Sequence, residues 1–268
     1  MSIELAAVFV LIGAFVGIVS GLLGIGGGGV LVPLLTTIFV YLKVPSEHIV
    51  HLALGTSMAC IIITSLSSLQ AHHKRGGVLW SLVRLMAPSM VLGTFLATFL
   101  ASHISSKPLA IFFSIFMAYI SMQMYLNISP NSSHQTAGKL ELGLVAAFIG
   151  AISALVSIGG GSLTVPYLSW RNIDIRKAIG TSAALGLPIA LSGSIGYLVN
   201  GLSTQIPLPN TLGFVYLPAV ACIAVPSYFT APIGARLAHQ MPIEVIKKIF
   251  SILLMLLSIK MLSVVFAK

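Results

Sequence analysis

Gly24-Ile25-Gly26-Gly27-Gly28-Gly29 interrupts an apolar stretch from Leu5 to Leu42, and a shorter version, Ile158-Gly159-Gly160-Gly161-Ser162, interrupts a second one. Each run leads into a related tail, Val32-Pro33-Leu34-Leu35 and Val165-Pro166-Tyr167-Leu168. A glycine run inside a hydrophobic helix frees the backbone to turn, with no Cβ to keep a neighbour or a ligand away. In a bilayer such an interruption must face protein or a water-filled cavity, because unpaired backbone is too costly against lipid. Breaks at matching places in two halves of a chain point to a solute path near mid-membrane.

Composition sets the class. Hydrophobic residues make up 57% of the chain, charged residues 7%, and the mean hydropathy is +1.05. Runs such as Ile49–Leu69, Leu82–Ala101 and Leu109–Leu126 reach the roughly 20 residues needed to cross a bilayer core as helices. The alternating pattern of a membrane barrel is absent, so an all-α bundle is expected. The first apolar segment runs straight into the glycines and reads as part of the fold, not as a cleaved leader. Cys60 and Cys222 both sit in apolar segments and read as small packing residues. The net charge of +9 reads as a topology signal, with no nucleic-acid partner implied.

The repeat extends beyond the glycines. Ala53-Leu54-Gly55-Thr56-Ser57 returns as Ala178-Ile179-Gly180-Thr181-Ser182, and Phe113-Ser114-Ile115 returns as Phe250-Ser251-Ile252. The polar stretch Asn127–Lys139 divides the chain into a first membrane repeat (1–126), a linker (127–139) and a second repeat (140–268). Only eight residues, Leu163–Trp170, separate the second break from Arg171, and a helix of that length covers about 12 Å. Each glycine unit therefore reads as a re-entrant or broken hairpin followed by three transmembrane helices.

With that topology most Lys and Arg, including Lys74, Arg75, Arg84, Arg171, Arg176, Lys247 and Lys248, share one side, while Lys43, Lys107, Lys260 and Lys268 take the other. The rich side is expected in the cytoplasm and both termini outside. An odd number of crossings per half makes the two repeats inverted in topology. Two full spans in place of each hairpin keep the same parity, so six and ten crossings both fit.

The expected solute-binding residues follow from the repeats. A helix that starts after a glycine turn presents unpaired amides and a partial positive charge, which binds anions without a buried Lys or Arg. Gly26, Gly27, Gly28 and Gly29 form one such element; Gly159, Gly160, Gly161 and Ser162 form the other. Gly55, Thr56, Ser57, Gly180, Thr181 and Ser182 add hydroxyls near the start of a spanning helix in each half. The competing reading of the glycines is close helix packing. The competing reading of the hydroxyls is a bond to the carbonyl one turn back. The acidic residues, Glu4, Glu47, Glu141, Asp174 and Glu244, all fall near segment ends. A cation carrier would lack mid-membrane ligands, so anions or neutral solutes remain. His51, one turn before Gly55, reads as an interfacial residue or a titrating group at the mouth of the path. No metal, cofactor or catalytic constellation is expected, since paired carboxylates, H-E-x-x-H and C-x-x-C are missing. The G-x-G-x-x-G match at Gly24–Gly29 has no strand before it and is spurious as a nucleotide motif.

The paired Gly-Gly-Gly-x-x-x-x-Pro and Ala-x-Gly-Thr-Ser elements resemble the TauE/SafE family. Gly234-Ala235-Arg236-Leu237 and the stretch from Lys247-Lys248-Ile249-Phe250 to Lys260-Met261-Leu262 are also similar to it. The resemblance covers almost the whole chain. Leu79, in Gly76-Gly77-Val78-Leu79-Trp80, stands where the family pattern suggests an acidic residue. The resemblance implies a bacterial inner-membrane permease for small sulfur-containing anions such as sulfite or sulfonates. Its partners would be the anion and the lipid bilayer. Transport of another small anion such as a carboxylate, import in place of export, and a non-transporting membrane scaffold are the alternatives.

Overall fold

The computed structural model describes residues 2–23, 26–126, 138–240 and 243–266. Gly24, Ile25 and the linker residues 127–137 lie outside the described residues. The first half holds α1 (Ile3–Leu23), α2 (Gly28–Tyr41), α3 (Ile49–His73), α4 (Trp80–Ser102) and α5 (Ser106–Tyr125). The second holds α6 (Lys139–Val156), α7 (Gly161–Trp170), α8 (Ile175–Gly201), α9 (Leu217–Gln240) and α10 (Ile243–Phe266). Seven of these, α1, α3, α4, α5, α6, α8 and α9, are long and apolar enough to cross a membrane. The outer faces agree: Leu11, Leu96, Ile115, Phe148, Phe229 and Leu256 are all exposed, which only a lipid environment accommodates. The chain is a multi-pass, helical membrane protein.

The helices after the breaks are short. α2 has 14 residues and α7 has 10, so α7 covers about 15 Å, half of a bilayer core. α7 begins two residues earlier than apolar length alone suggests, because Gly161 and Ser162 form its first turn. A small addition is a two-stranded antiparallel hairpin, Thr211–Leu212 with Val215–Tyr216. Asn210 and Gly213, both at positive φ, turn the chain into and through it.

α3 and α8 form the centre. Their spanning windows are 83% and 61% buried, against 33–39% for the other spans. α8 is rich in Gly, Ala and Ser, which lets helices approach closely where no hydrophobic effect drives them together.

The halves pack by exchange. α1 lies on α9 as α6 lies on α4, α3 meets α8, α5 meets α10, and α3–α9 is matched by α8–α4. Hydrogen bonds repeat the pattern. Ser67 Oγ on α3 donates to Tyr228 O on α9 at 3.1 Å, and Ser192 Oγ on α8 donates to Val91 O on α4 at 2.8 Å. Between α5 and α10 the relation is reciprocal: Ser121 Oγ donates to Ser251 O at 2.7 Å and Ser258 Oγ to Ser114 O at 2.8 Å.

Candidate functional site: two glycine breaks that meet

The two breaks share one backbone geometry. Gly27 caps α2 with φ 75° and ψ −3°, and Gly160 caps α7 with φ 78° and ψ −13°. An L side chain rarely adopts this left-handed conformation, which accounts for a glycine at both caps. A glycine cap has no side chain with which to bond the first amides of α2 and α7, so the positive ends of the two helices lack a side-chain cap.

The breaks also touch. A Cβ on Gly26 would lie 3.2 Å from both N and Cα of Gly159 and 3.1 Å from Ile61 Cγ2. A Cβ on Gly28 would collide with the carbonyl oxygen of Ser157, and one on Gly29 with Met117 of α5. Ser157, at positive φ after α6, donates its hydroxyl to Leu54 O at 3.3 Å, and Thr64 Oγ1 donates to Gly26 O at 3.3 Å. The breaks are thus seated on α3 between Leu54 and Thr64, and on α8 where Gly186 packs beside Gly159 O.

Three residues of each Gly-Thr-Ser element divide the work. Gly55 admits the carbonyl of Phe214, and Gly180 admits the carbonyl of Gly77. Thr56 Oγ1 accepts from Tyr216 N at 3.0 Å, and Thr181 Oγ1 accepts from Leu79 N at 3.0 Å. Both threonines therefore clasp the segment that leads into α9 or α4. Ser57 and Ser182 are fully buried, and their hydroxyls have no partner among the described residues. A buried hydroxyl left unpaired costs free energy, and in a native fold it calls for a reason.

Ser20 and Ser153 belong beside them. Ser20 is fully buried and Ser153 is 1% exposed, both unpartnered. The Ser20 Cβ would be 3.5 Å from a Cβ on Gly27, and Ser153 Oγ 3.9 Å from one on Gly160. Thr164 Oγ1, also buried and unpartnered, would be 3.4 Å from the latter. Ser162 Oγ is unpartnered as well. Composition-based reading passes over Ser20 and Ser153. Their signal is positional, since each precedes its cap glycine by the same interval.

Charged groups stay at the periphery. Glu4, Glu141 and Glu244 are in first turns, and Asp174 caps α8, accepting from Arg176 N at 3.0 Å and Lys177 N at 3.3 Å. Arg171 ends α7; its side chain is only 8% exposed, pairs with Glu141 and lies over Tyr167 and Trp170. His51 is buried, with Nε2 3.0 Å from Ala101 O, Nδ1 3.3 Å from Ser106 Oγ, and its ring against Phe214. That ties His51 to the hairpin clasped by Thr56.

The family model for the sulfite exporter TauE/SafE matches residues 9–261. A "probable membrane transporter protein" of Haemophilus influenzae is 35% identical over 252 residues, covering 94% of this chain and 96% of the relative. Proteins with the same description from Methanocaldococcus jannaschii and Bacillus subtilis are 27% and 26% identical, and 88% and 89% of this chain align with 87% and 92% of theirs. No solved structure matches. Matched along nearly its whole length, with both glycine breaks inside the matched region, the chain belongs to the sulfite exporter TauE/SafE family.

Proposed function

We propose that the protein is a secondary permease for small sulfur-containing anions, with export of sulfite or an organosulfonate as the leading reading. The observation that carries it is the meeting of two uncapped, glycine-started helix ends among buried hydroxyls that lack protein partners. Helix N-termini favour anions through their free amides and dipole. Gly26–Gly29 and Gly159–Ser162 would supply the amides, and Ser57, Ser182, Ser162, Ser20 and Ser153 the hydroxyl donors. Thr56 and Thr181, whose oxygens already accept a backbone amide, would retain their hydroxyl hydrogens for the solute.

Two halves that pack by exchange support transport by alternating access. In this reading the halves are inverted across the membrane, the Lys- and Arg-rich ends are cytoplasmic, and both termini are outside. Gly26–Gly29 and Gly159–Gly161 are buried, as are Ser57 and Ser182. Transport then requires the segments clasped by Thr56 and Thr181 to part in turn. An anion leaving a negative-inside cell gains about 2.3 kcal/mol per charge per 100 mV, so no coupled ion is needed.

Labelled-sulfite flux in proteoliposomes, with an imposed potential and with sulfonate or carboxylate competitors, tests this. Saturable flux that follows the potential and is lost in Gly27→Val and Gly160→Val supports the reading. Unchanged flux in both correctly inserted variants sinks the site. Displacement by a carboxylate alone would move the substrate class away from sulfur anions.

A further inference from the structure

We infer that the two glycine-started helix ends form one binding centre that compensates at most about one negative charge, so the protein carries singly charged anions and rejects dianions. This rests on the anion reading above and narrows it.

The charge available at the centre can be counted. Each helix N-terminus contributes about half a positive charge. The ends of α2 and α7 converge where Gly26 meets Gly159, so together they offer about one unit. The C-terminal ends of α1 and α6 lie beside them and reduce this further. Among the described residues Arg171 alone has a buried charged side chain, and the other Lys, Arg, Asp and Glu are exposed or half-buried. Arg171 is at the opposite end of α7 from Gly161 and pairs with Glu141. On α10, which packs against α2, Lys260 is exposed. The titratable groups on the flanking helices are His51, Cys60, His72 and His73 on α3, Arg176, Lys177 and Tyr197 on α8, Tyr41 on α2 and Tyr167 on α7. Of these only His51, Cys60 and Tyr197 are buried. His51 is turned to Ala101 O and Ser106, and Tyr197 donates to Ala154 O at 3.0 Å.

The second observation is the set of hydroxyls. Ser20, Ser153 and Thr164 lie beside the caps; with Ser57 on α3 and Ser182 on α8 they are nine-tenths or more buried and lack partners among the described residues. Ser153 and Thr164 approach the Gly160 cap most closely. Hydroxyls stabilise oxygen atoms of an oxyanion by donation but add no net charge. A second negative charge would stay uncompensated in a low-dielectric site, which is strongly unfavourable. Sulfite, whose second proton titrates near neutrality, would therefore be carried as bisulfite.

Three labelled probes separate this from protein titration: methanesulfonate, a permanent monoanion; sulfate, a permanent dianion; and sulfite. Flux of each is measured in proteoliposomes of the full chain from mildly acidic to mildly alkaline pH. Methanesulfonate flux should be flat with pH and carry one charge per solute, read from its reversal potential. Sulfite flux at fixed total concentration should fall as pH rises, and sulfate should move slower by about tenfold or more. Sulfate as fast as methanesulfonate, or sulfite flux that rises with pH, overturns the inference. If Gly27→Val and Gly160→Val still abolish flux in that case, the site survives without its charge rule. If none of the probes moves, or both variants move them normally, the anion reading falls and this inference with it.

Discussion

Gly26 and Gly159 meet backbone to backbone so closely that a Cβ on Gly26 would stand 3.2 Å from Gly159 Cα and press the neighbouring backbone aside by a few tenths of an ångström. Gly26 precedes α2 and Gly159 precedes α7, so the contact joins the two halves of the chain at their breaks. Movement of one half against the other must change this contact directly.

Glycine substitutions should sort by what the new Cβ meets. Gly55→Ala and Gly180→Ala drive a methyl into the carbonyls of Phe214 and Gly77, neither of which can rotate away. We expect a cost of about 1–3 kcal/mol for such overpacking. Gly138→Ala meets nothing within 4 Å and should leave stability unchanged. Thermal unfolding in detergent measures all three, and equal Tm values would refute the packing argument.

Thr56→Val and Thr181→Val keep the shape but remove the acceptor for Tyr216 N or Leu79 N. An orphaned buried amide costs about 1–3 kcal/mol. Thr56→Ser and Thr181→Ser should restore most of the loss. Hydrogen exchange at Tyr216 and Leu79 is the sensitive readout, with faster exchange expected in the valine variants alone.

Ser57→Ala and Ser182→Ala act in the opposite way. Their hydroxyls have no partner among the described residues, so removal should be neutral or slightly stabilising. Flux should nevertheless drop, by about tenfold for each solute hydrogen bond lost. Reduced stability with normal flux would assign these serines to the scaffold.

Glu141→Gln removes one charged partner of the Arg171 side chain, which is 8% exposed. Breaking a buried ion pair costs about 3–5 kcal/mol at full burial; less is expected here, because Glu141 is 47% exposed and Arg171 keeps its contacts with Tyr167 and Trp170. Combining Glu141→Gln with Arg171→Met should recover stability relative to Glu141→Gln alone. Chemical denaturation of the set would reveal a failure to recover.

Much of the fold is legible in the chain because membrane burial writes it locally. Apolar length marks the spans, and the position of Gly27 and Gly160 marks the caps, since only glycine tolerates φ near 75° there without strain. The carboxylates fall at element ends, as solvation demands. The resemblance to TauE/SafE is equally a property of local motifs. The hairpin at Thr211–Tyr216 is not legible, because its two-residue strands carry no periodicity of their own. They exist because Thr56 and Gly55 receive them.

The roles of the polar residues were decided by tertiary structure alone. Thr56 and Ser57 are adjacent and chemically alike, yet the helix turns them to different neighbours: one hydroxyl holds Tyr216 N and the other holds nothing. Ser20 and Ser153 look like ordinary small residues until the chain folds them against Gly27 and Gly160. Sequence by itself determined a duplicated helical membrane protein with two glycine breaks, because hydrophobicity and backbone freedom act residue by residue. Which breaks touch, and which hydroxyls stay unpaired, depends on groups brought together from distant parts of the chain.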